Sequence, residues 1–269
     1  PYARDRDASI KSLLEDHQIS FETYKDQVIF EKDEIVKDDG TPYRVYTPFS
    51  RKWLHHFSEN ELPYYPSETL LDKLADIEQP QLDLTDLGFI SSKVSSPQHT
   101  FNNERITAYE ATRNFPAIDQ TTRIGTPLRF GTLSVREMVR KSAAIANPTF
   151  LKELIWREFF MQILWHFPHT MTQSFKPQYD RIEWRNDPVE FEKWCGGNTG
   201  YPLIDAGMRQ LNQTGFMHNR VRMLVGSFLC KHLLIDWRLG EAYFAEKLLD
   251  YEMSSNVGNW QWVAGCGVD

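Results

Sequence analysis

The chain has 269 residues, of which 41% are hydrophobic and 25% charged, and its formal net charge is −7. This composition is that of a globular protein of one large or two smaller domains and excludes a disordered chain. There is neither an apolar run of the ~20 residues that a membrane helix needs nor a signal peptide at the start.

The three cysteines are far apart and form no CxxC pair, which favours a reducing, cytoplasmic compartment without structural disulfides or zinc. Because the chain begins with Pro1 and not with Met, we expect a fragment.

The acidity is concentrated in the first part of the chain. Residues 1–100 contain 11 basic and 19 acidic side chains, whereas residues 101–269 contain 19 and 18. The net charge of the whole chain argues against a nucleic-acid partner, but the balance in the second part leaves room for a basic surface.

In chain order, the first 100 residues predict few regular elements. Residues 1–27 predict one helix, "RDASIKSLLEDH", followed by "ISFETYKDQ". Two short β pieces, "VIFEKDEIV" and "YRVYTP", are predicted around the turn "DDGTP". From Ser58 to about Gln98 the sequence is polar and rich in proline, which is typical of a linker that wraps over a neighbouring surface.

The second part of the chain predicts an all-α domain, because none of its runs alternates with a period of two. The longest helix has Pro148 just inside its start and Pro168 beyond its end. The next begins near Pro202 and stops at Gly215, because glycine is common at the position directly after the end of a helix. Further helices are predicted in "HNRVRMLVGSFLCKHLL" and "LGEAYFAEKLL".

Two of these helices carry polar groups on otherwise apolar faces. With 3.6 residues per turn, one face combines Glu153, Trp156, Arg157 and Phe160. For a single helix, a buried ion pair beside core aromatics is the commoner explanation. However, a second helix repeats the pattern, and the two together predict a shared cavity. The second face carries Asn219, Arg222, Met223 and Gly226, with Arg220 adjacent.

Two further segments indicate binding. In "TTRIGTPLRFGTLS", hydroxyls and a glycine lead into Pro127 at a predicted helix start, where backbone N–H groups suit a phosphate, although Thr and Ser cap many helices. In "DYEMSSNVGNWQW", two carboxylates, Asn side chains and two tryptophans predict a pocket for a ligand that is both aromatic and polar. His166 and His169 have no third ligand at metal-site spacing, so no metal is expected.

Several long motifs, all in the same order, resemble the flavin domain of the photolyase/cryptochrome family. They are "ELIWREFF", "TGYPLIDAGMRQLNQTGFMHNRVRM", "LLIDWRLGEAYF" and "GNWQW", together with the flavin-phosphate segment "TTRIGTPLRFGTLS" and, from the tail of the N-terminal domain, "YRVYTPFSRKWL". The resemblance implies a mainly α fold truncated at both ends. Its parts would be the remnant of an α/β antenna domain at 1–57, an interdomain linker at 58–100 and a helical FAD-binding domain at 101–269.

The resemblance implies that FAD binds in a folded conformation inside the helical domain. Its phosphates would be held by Tyr109 and by Thr121, Thr122, Arg123, Ile124 and Gly125, with Arg157 nearby. Gly125 stands where many relatives have Ser, so one hydroxyl contact is lost.

Beside the flavin ring, Arg222 and Asp250 resemble the family's ion pair, and Glu252 stands where many members have Asp. Asn256 matches the residue that faces flavin N5, and Asn219 would also contact the cofactor. Since an amide cannot protonate the flavin, Asn256 favours repair over the signalling of plant cryptochromes, which carry Asp there.

The resemblance also implies a pocket for an extruded DNA lesion. Trp156 and Trp262 would be its indole walls, and Glu153 and Asn219 would hydrogen-bond the pyrimidine edges. Met223 would fill the pocket, and Arg220 would contact a phosphate.

Three tryptophans, Trp260, Trp237 and Trp184, match the family's electron-transfer chain from the flavin to the surface. Trp184 is aligned through its ten-residue spacing to Trp194 in a loop where members differ, so a purely structural tryptophan remains the alternative for it.

The leading hypothesis is therefore a monomeric, light-driven lyase that repairs cyclobutane pyrimidine dimers in damaged DNA, with catalysis by Glu153, Asn256 and the three tryptophans. A second antenna chromophore, of folate or deazaflavin type, is expected in the full-length protein. The rival hypothesis is a blue-light receptor that binds FAD and signals without repair. A third is that the excised piece binds neither FAD nor DNA. The sequence His218–Asn219 disfavours the (6-4) repair branch, which has paired histidines there.

Overall fold

The computed structural model describes residues 2–75, 82–92, 94–95, 98–145 and 148–268. Its α-helices are α1 (Tyr2–Asp16), α2 (Tyr46–Glu59), α3 (Asn103–Thr112), α4 (Gly125–Phe130), α5 (Val135–Ala143), α6 (Pro148–His166), α7 (Pro188–Gly196), α8 (Pro202–Thr214), α9 (Asn219–Ser227), α10 (Trp237–Lys247) and α11 (Met253–Ala264). Short 3₁₀ helices cover Ser67–Lys73, Pro168–Met171 and Pro177–Arg181, and a π turn at Phe228–His232 follows α9. The mainly α fold class predicted from the sequence is confirmed.

The proline and glycine signals set helix boundaries as predicted. Helix α6 begins at Pro148 and ends at His166, just before Pro168, and α8 runs from Pro202 to Thr214. Gly215 follows α8 with a φ of 64°, in the left-handed region where glycine is favoured. A Cβ at Gly215 would lie 2.5 Å from Leu249 Cγ, so the close approach of the chain also requires glycine here.

The two β pieces predicted around "DDGTP" are wrong. In the described part of the chain, the pairing there is a single antiparallel bridge between Val36 and Pro42, which closes the predicted turn. Instead of joining a sheet, the backbone N–H groups of Ile29 and Phe30 donate to the buried carboxylate of Glu158, at 2.6 and 3.0 Å. "YRVYTP" runs into α2.

The helix predicted in residues 1–27 ends at Asp16, so "ISFETYKDQ" lies outside it. The chain leaves the helix through Gln18, whose φ is 57°, and Ile19 N donates to Leu14 O at 2.9 Å. None of the residues of α1 is buried.

Two hydrophobic cores lie on either side of the site described below. The first is formed by α2, α3, α5 and α6, with Trp53 and Phe159 fully buried at its centre. The second is formed by α7 to α11 and is built around Trp194 and Trp237. Helix α11 packs against both α6 and α10 and so joins the two cores.

The first core includes residues from both sides of the predicted boundary at residue 57. Phe49 of α2 packs against Phe159 of α6 with ring centroids 5.2 Å apart. Described residues between 63 and 95 are exposed, as a linker would be, while 76–81, 93, 96 and 97 lie outside the described residues. The division into 1–57, 58–100 and 101–269 stays a prediction. No helix in the described ranges is long and apolar enough to cross a membrane.

Candidate functional site

Two adjoining cavities lie on either side of residues from α9 and α11: the first also contacts α6, and the second also contacts α10. The Trp262 cavity, of about 410 Å³, is lined by Arg113, Glu153, Trp156, Arg157, Phe160, Asn219, Arg220, Met223, Ser255, Asn259 and Trp262. The Asp250 cavity, of about 100 Å³, is lined by Asn219, Arg222, Met223, Gly226, Phe244, Leu248, Asp250, Tyr251, Glu252, Ser255, Asn256, Asn259, Trp260 and Val263. Asn219, Met223, Ser255 and Asn259 belong to both linings. The cavity predicted between the polar faces of the two helices is present, and Asn219, Arg220 and Met223 line it together with the α6 face. Arg222 and Gly226 line the Asp250 cavity instead.

An ion pair closes one side of the Trp262 cavity. Arg113 Nη1 donates to Glu153 Oε1 at 2.5 Å. Burial raises the pKa of Glu153, and the charges of Arg113 and Arg220 act in the opposite direction. Arg113 was not predicted from the sequence. Its only local signal is its position one turn after Tyr109, whose ring lies 5.4 Å from the Arg113 guanidinium carbon.

Two indoles lie on the wall of the Trp262 cavity. Trp262 is 45% exposed, whereas Trp156 is half-buried and stacks on Tyr46 with ring centroids 3.5 Å apart and an interplanar angle of 7°. The side chain of Arg220 is held at the cavity by Asn114, because its Nε donates to Asn114 Oδ1 at 2.8 Å. The cavity thus combines aromatic surfaces with cationic donors.

The Asp250 cavity contains a second ion pair. Arg222 Nη2 donates to Asp250 Oδ2 at 2.9 Å, and Arg222 Nε donates to Met217 O at 2.8 Å. A Cβ at Gly125 would lie 2.7 Å from Asp250 Oδ2, so the start of α4 lies directly against this carboxylate. The predicted pairing of Arg222 with Asp250 is present.

Glu252 and Asn256 are both held by hydrogen bonds at the start of α11. Glu252 is the N-cap residue: it accepts from the backbone N–H groups of Ser254 and Ser255 at 3.1 and 2.9 Å, which orders the first turn of the helix. Asn256 Nδ2 donates to the carboxylate of Glu241 at 3.0 Å and to its backbone oxygen at 3.2 Å. Neither the capping role nor Glu241 was predicted from the sequence.

Most of the residues predicted to hold the phosphates lie outside both cavity linings. Tyr109 packs against Phe150, and burial raises its pKa to about 12. Thr121 O accepts from Arg105 at 2.6 Å, and Thr122 and Ile124 are buried. Of this segment, Gly125 reaches the Asp250 carboxylate. The phosphate-binding role of the set stays a prediction.

Arg123 and Arg157 have different surroundings. Arg123 adopts a φ of 54°, and its buried Nε has no hydrogen-bond partner within the described structure. Arg157 lines the Trp262 cavity and donates to Gln27 O at 2.7 Å. Burial lowers the pKa of Arg157, while Glu252 and Glu158 favour its charged form.

The three predicted relay tryptophans belong to the second core. Trp260 lines the Asp250 cavity, Trp237 is fully buried and Trp184 is partly buried against the same cluster. The ring of Trp260 contacts Trp194, at 6.1 Å between centroids, and Phe244, at 5.0 Å. Trp194, which served only as a spacing reference in the sequence, is therefore a direct neighbour of Trp260.

A helical domain with a guanidinium–carboxylate pair, amide side chains and aromatic walls suits a large ligand that is both aromatic and polar. Residues 150–269 match the family model described as the FAD binding domain of DNA photolyase, and residues 1–67 match the DNA photolyase model. The chain belongs to the DNA photolyase family.

Individual relatives agree with this assignment. The chain is similar to the deoxyribodipyrimidine photo-lyase of Alkalihalophilus pseudofirmus, with 36% identity over 99% of this chain and 59% of the relative. The crystal structure of a bacterial class III photolyase from Agrobacterium tumefaciens matches with a TM-score of 0.84 and 34% identity over 99% of this chain and 60% of that one. The crystal structure of an archaeal photolyase from Sulfolobus tokodaii with two FAD molecules matches with a TM-score of 0.74 and 34% identity. The match covers 100% of this chain and 60% of that one. The chain spans about three fifths of the length of these proteins.

The residues around the Asp250 cavity fit FAD, the cofactor of this domain family. A planar ring with several polar edges needs donors and acceptors beside apolar surface. Arg222, Asn219 and Asn256 supply the polar groups, and Trp260 and Met223 supply the apolar surface. In the part of the chain that the structure describes, no group of three His, Cys, Asp or Glu side chains could hold a metal ion.

Proposed function

We propose that this chain provides the cofactor and lesion sites of a light-driven lyase that repairs cyclobutane pyrimidine dimers in DNA. The observation that carries the proposal is the shared wall of the two cavities: Asn219, Met223, Ser255 and Asn259 border both. A lesion in the larger cavity would therefore lie beside a flavin in the smaller one. FAD, when bound and reduced, supplies an electron donor that is activated by light.

The Trp262 cavity suits an extruded pyrimidine dimer, because a base inside the duplex cannot reach a buried cofactor. Trp156 and Trp262 offer aromatic surface to the two rings. Glu153, whose pKa is raised by burial, can donate a proton in a hydrogen bond to a pyrimidine carbonyl when it is protonated. Arg113 and Arg220 add positive charge for the flanking phosphates.

The Asp250 cavity suits the flavin ring. The Arg222–Asp250 pair places a cation and an anion beside it, and the anchored Asn256 keeps its Oδ1 as an acceptor that cannot act as an acid. We assign Tyr109 and the segment from Thr121 to Gly125 to the phosphates, with Arg157 nearby, and Glu252 to the flavin ring. Trp260, Trp237 and Trp184 are assigned to electron supply, because indole is readily oxidised.

The relatives support an action on DNA, and we propose a cytoplasmic monomer with damaged DNA as its partner. A second, antenna chromophore of folate or deazaflavin type is expected in the full-length protein. The photolyase from Sulfolobus tokodaii, which has two FAD molecules and a novel light-harvesting cofactor, supports a second chromophore but not its folate or deazaflavin type.

The test is to illuminate the purified, flavin-containing protein with an oligonucleotide that carries one thymine dimer. Loss of dimers in the light and not in the dark is the expected result. Flavin absorption with intact dimers would instead indicate a blue-light receptor. A protein that retains no flavin and binds no DNA would contradict both assignments.

A further inference from the structure

The indole of Trp156 has one face covered by a side chain from a distant part of the sequence. Tyr46, the first residue of α2, stacks on it with centroids 3.5 Å apart and planes only 7° from parallel. Trp156 lines the Trp262 cavity, whereas Tyr46 does not. Tyr46 therefore lies behind the indole as seen from the cavity.

Tyr46 is itself fixed on several sides. Its hydroxyl donates to Lys152 O at 2.9 Å, one turn before Trp156 on α6. Its ring meets the edge of Phe159 at 5.8 Å. Burial raises the pKa of Tyr46 to about 12, so the hydroxyl keeps its proton and remains a donor at neutral pH. These contacts fix the ring in position and angle.

A side chain that is held in this way limits the orientations open to its stacking partner. Trp156 also contacts Phe159 at 5.6 Å and Phe160 at 5.6 Å, both from its own helix. Those two contacts move with α6, but Tyr46 reaches the indole from α2. Without it, the side of Trp156 away from the cavity would lose its support, and the indole could turn out of the wall.

We propose that Tyr46 is a positioning residue for the lesion site: it sets the plane of Trp156, and the indole then meets the extruded dimer in one orientation. The inference rests on the proposed function and adds to it a residue from outside residues 101–269, the predicted FAD-binding domain. It predicts that Tyr46 affects DNA binding only through Trp156.

The same helix offers a matched control. Phe57 of α2 stacks on Trp53 with centroids 5.2 Å apart and planes at 23°, but neither ring lines the Trp262 cavity. Phe57→Leu therefore removes a stacked ring from the same helix and the same core while leaving the wall of the cavity untouched.

The experiment is a double-mutant cycle on the flavin-containing protein. The variants are Tyr46→Leu, Trp156→Ala, their combination, Tyr46→Phe and Phe57→Leu. Affinity is measured for an oligonucleotide with one thymine dimer and for the undamaged oligonucleotide. We expect Tyr46→Leu to weaken dimer binding by about fivefold to tenfold, the size of an aromatic stacking contact, without a similar loss for undamaged DNA.

Three results are required together. In the Trp156→Ala background, Tyr46→Leu should have no further effect, because the two residues act as a unit. Tyr46→Phe, which keeps the ring, should restore most of the affinity, and Phe57→Leu should bind dimers like the unchanged protein. The proposal is overturned if Tyr46→Leu costs the same with and without Trp156, or if Phe57→Leu has an equal effect.

A failure of the proposed function has a different signature. In that case the unchanged protein would not prefer dimer-containing DNA at all. Near-ultraviolet circular dichroism can still test the stacking of Tyr46 on Trp156, because it needs no DNA. The tryptophan band that disappears in Trp156→Ala is assigned to this indole, and it should be altered in Tyr46→Leu and retained in Tyr46→Phe. A band that Tyr46→Leu leaves unchanged would refute the positioning role.

Discussion

The buried carboxylate of Glu158 gives the sharpest stability prediction. This side chain is 2% exposed and accepts three hydrogen bonds, from Ile29 N at 2.6 Å, Phe30 N at 3.0 Å and Trp53 Nε1 at 2.7 Å. Glu158→Gln keeps the size of the side chain but turns one acceptor oxygen into an N–H₂ group that faces a donor. At pH 4.5, where burial keeps the folded-state Glu158 protonated, Gln is a close substitute for it, because each has one acceptor oxygen and one donor group. The free energies of unfolding of the two proteins should therefore be similar at that pH.

The pH dependence provides the signature of the same residue. Burial raises the pKa of Glu158 from 4.5 to about 7, so the folded state holds this proton more tightly than the unfolded chain does. The resulting contribution to stability is complete below pH 4.5 and is lost as the pH rises towards about 7. Its size, at 1.36 kcal/mol per pKa unit, is about 3 kcal/mol.

The assay is urea unfolding followed by far-ultraviolet circular dichroism at several pH values between 4.5 and 8. The matched control is Glu110→Gln, because Glu110 is exposed on α3. The unchanged protein should lose stability relative to Glu158→Gln as the pH rises from 4.5 to 7. If Glu158→Gln and Glu110→Gln have the same free energy of unfolding at every pH, the carboxylate does not hold residues 29 and 30, and the reasoning is refuted.

Three further predictions concern the Asp250 cavity and the packing of Trp260 in its wall. Gly240→Ala should destabilise the protein by about 1–3 kcal/mol, because its Cβ would lie 2.3 Å from the ring of Trp260; an unchanged urea midpoint would contradict this close packing. Asp250→Asn should lower the flavin retained per protein after gel filtration by about tenfold, since Arg222 loses a charged partner worth about 1.5–3 kcal/mol; full flavin content would argue against this pair as a cofactor contact. Trp260→Phe should leave the flavin content unchanged and slow photoreduction, measured as bleaching of the oxidised flavin band under blue light; an unchanged rate would indicate another first donor.

The helical part of the fold could be predicted because its signals are local. Pro148 and Pro202 begin helices, and Gly215 ends one, through conformational preferences that depend on a few neighbouring residues. The polar faces of α6 and α9 were visible for the same reason, since helical periodicity alone places Glu153 and Arg222 on their faces.

The missed features depend on contacts between distant parts of the chain. "VIFEKDEIV" has the composition of a strand, but Glu158 lies about 130 positions away and replaces the neighbouring strand as its hydrogen-bond partner. Arg113 reaches the Trp262 cavity, and Tyr46 reaches the back of Trp156, through tertiary packing, for which one sequence without an alignment offers no periodic signal. Glu252 was assigned to the flavin, and its capping of α11 requires knowing where that helix starts.

Helix α6 makes contacts on most of its faces, and these contacts limit the insertions and deletions that it can tolerate in evolution. Glu153 and Trp156 line the Trp262 cavity, whereas Glu158 lies on the opposite face and accepts hydrogen bonds from Ile29, Phe30 and Trp53. Phe159, between these two faces, packs against Phe49 of α2. Inserting one residue between these positions would rotate everything beyond it by about 100°. Insertions and deletions should therefore accumulate outside Pro148–His166, and the length of this helix should vary less among related proteins than the length of the segment from 58 to 100.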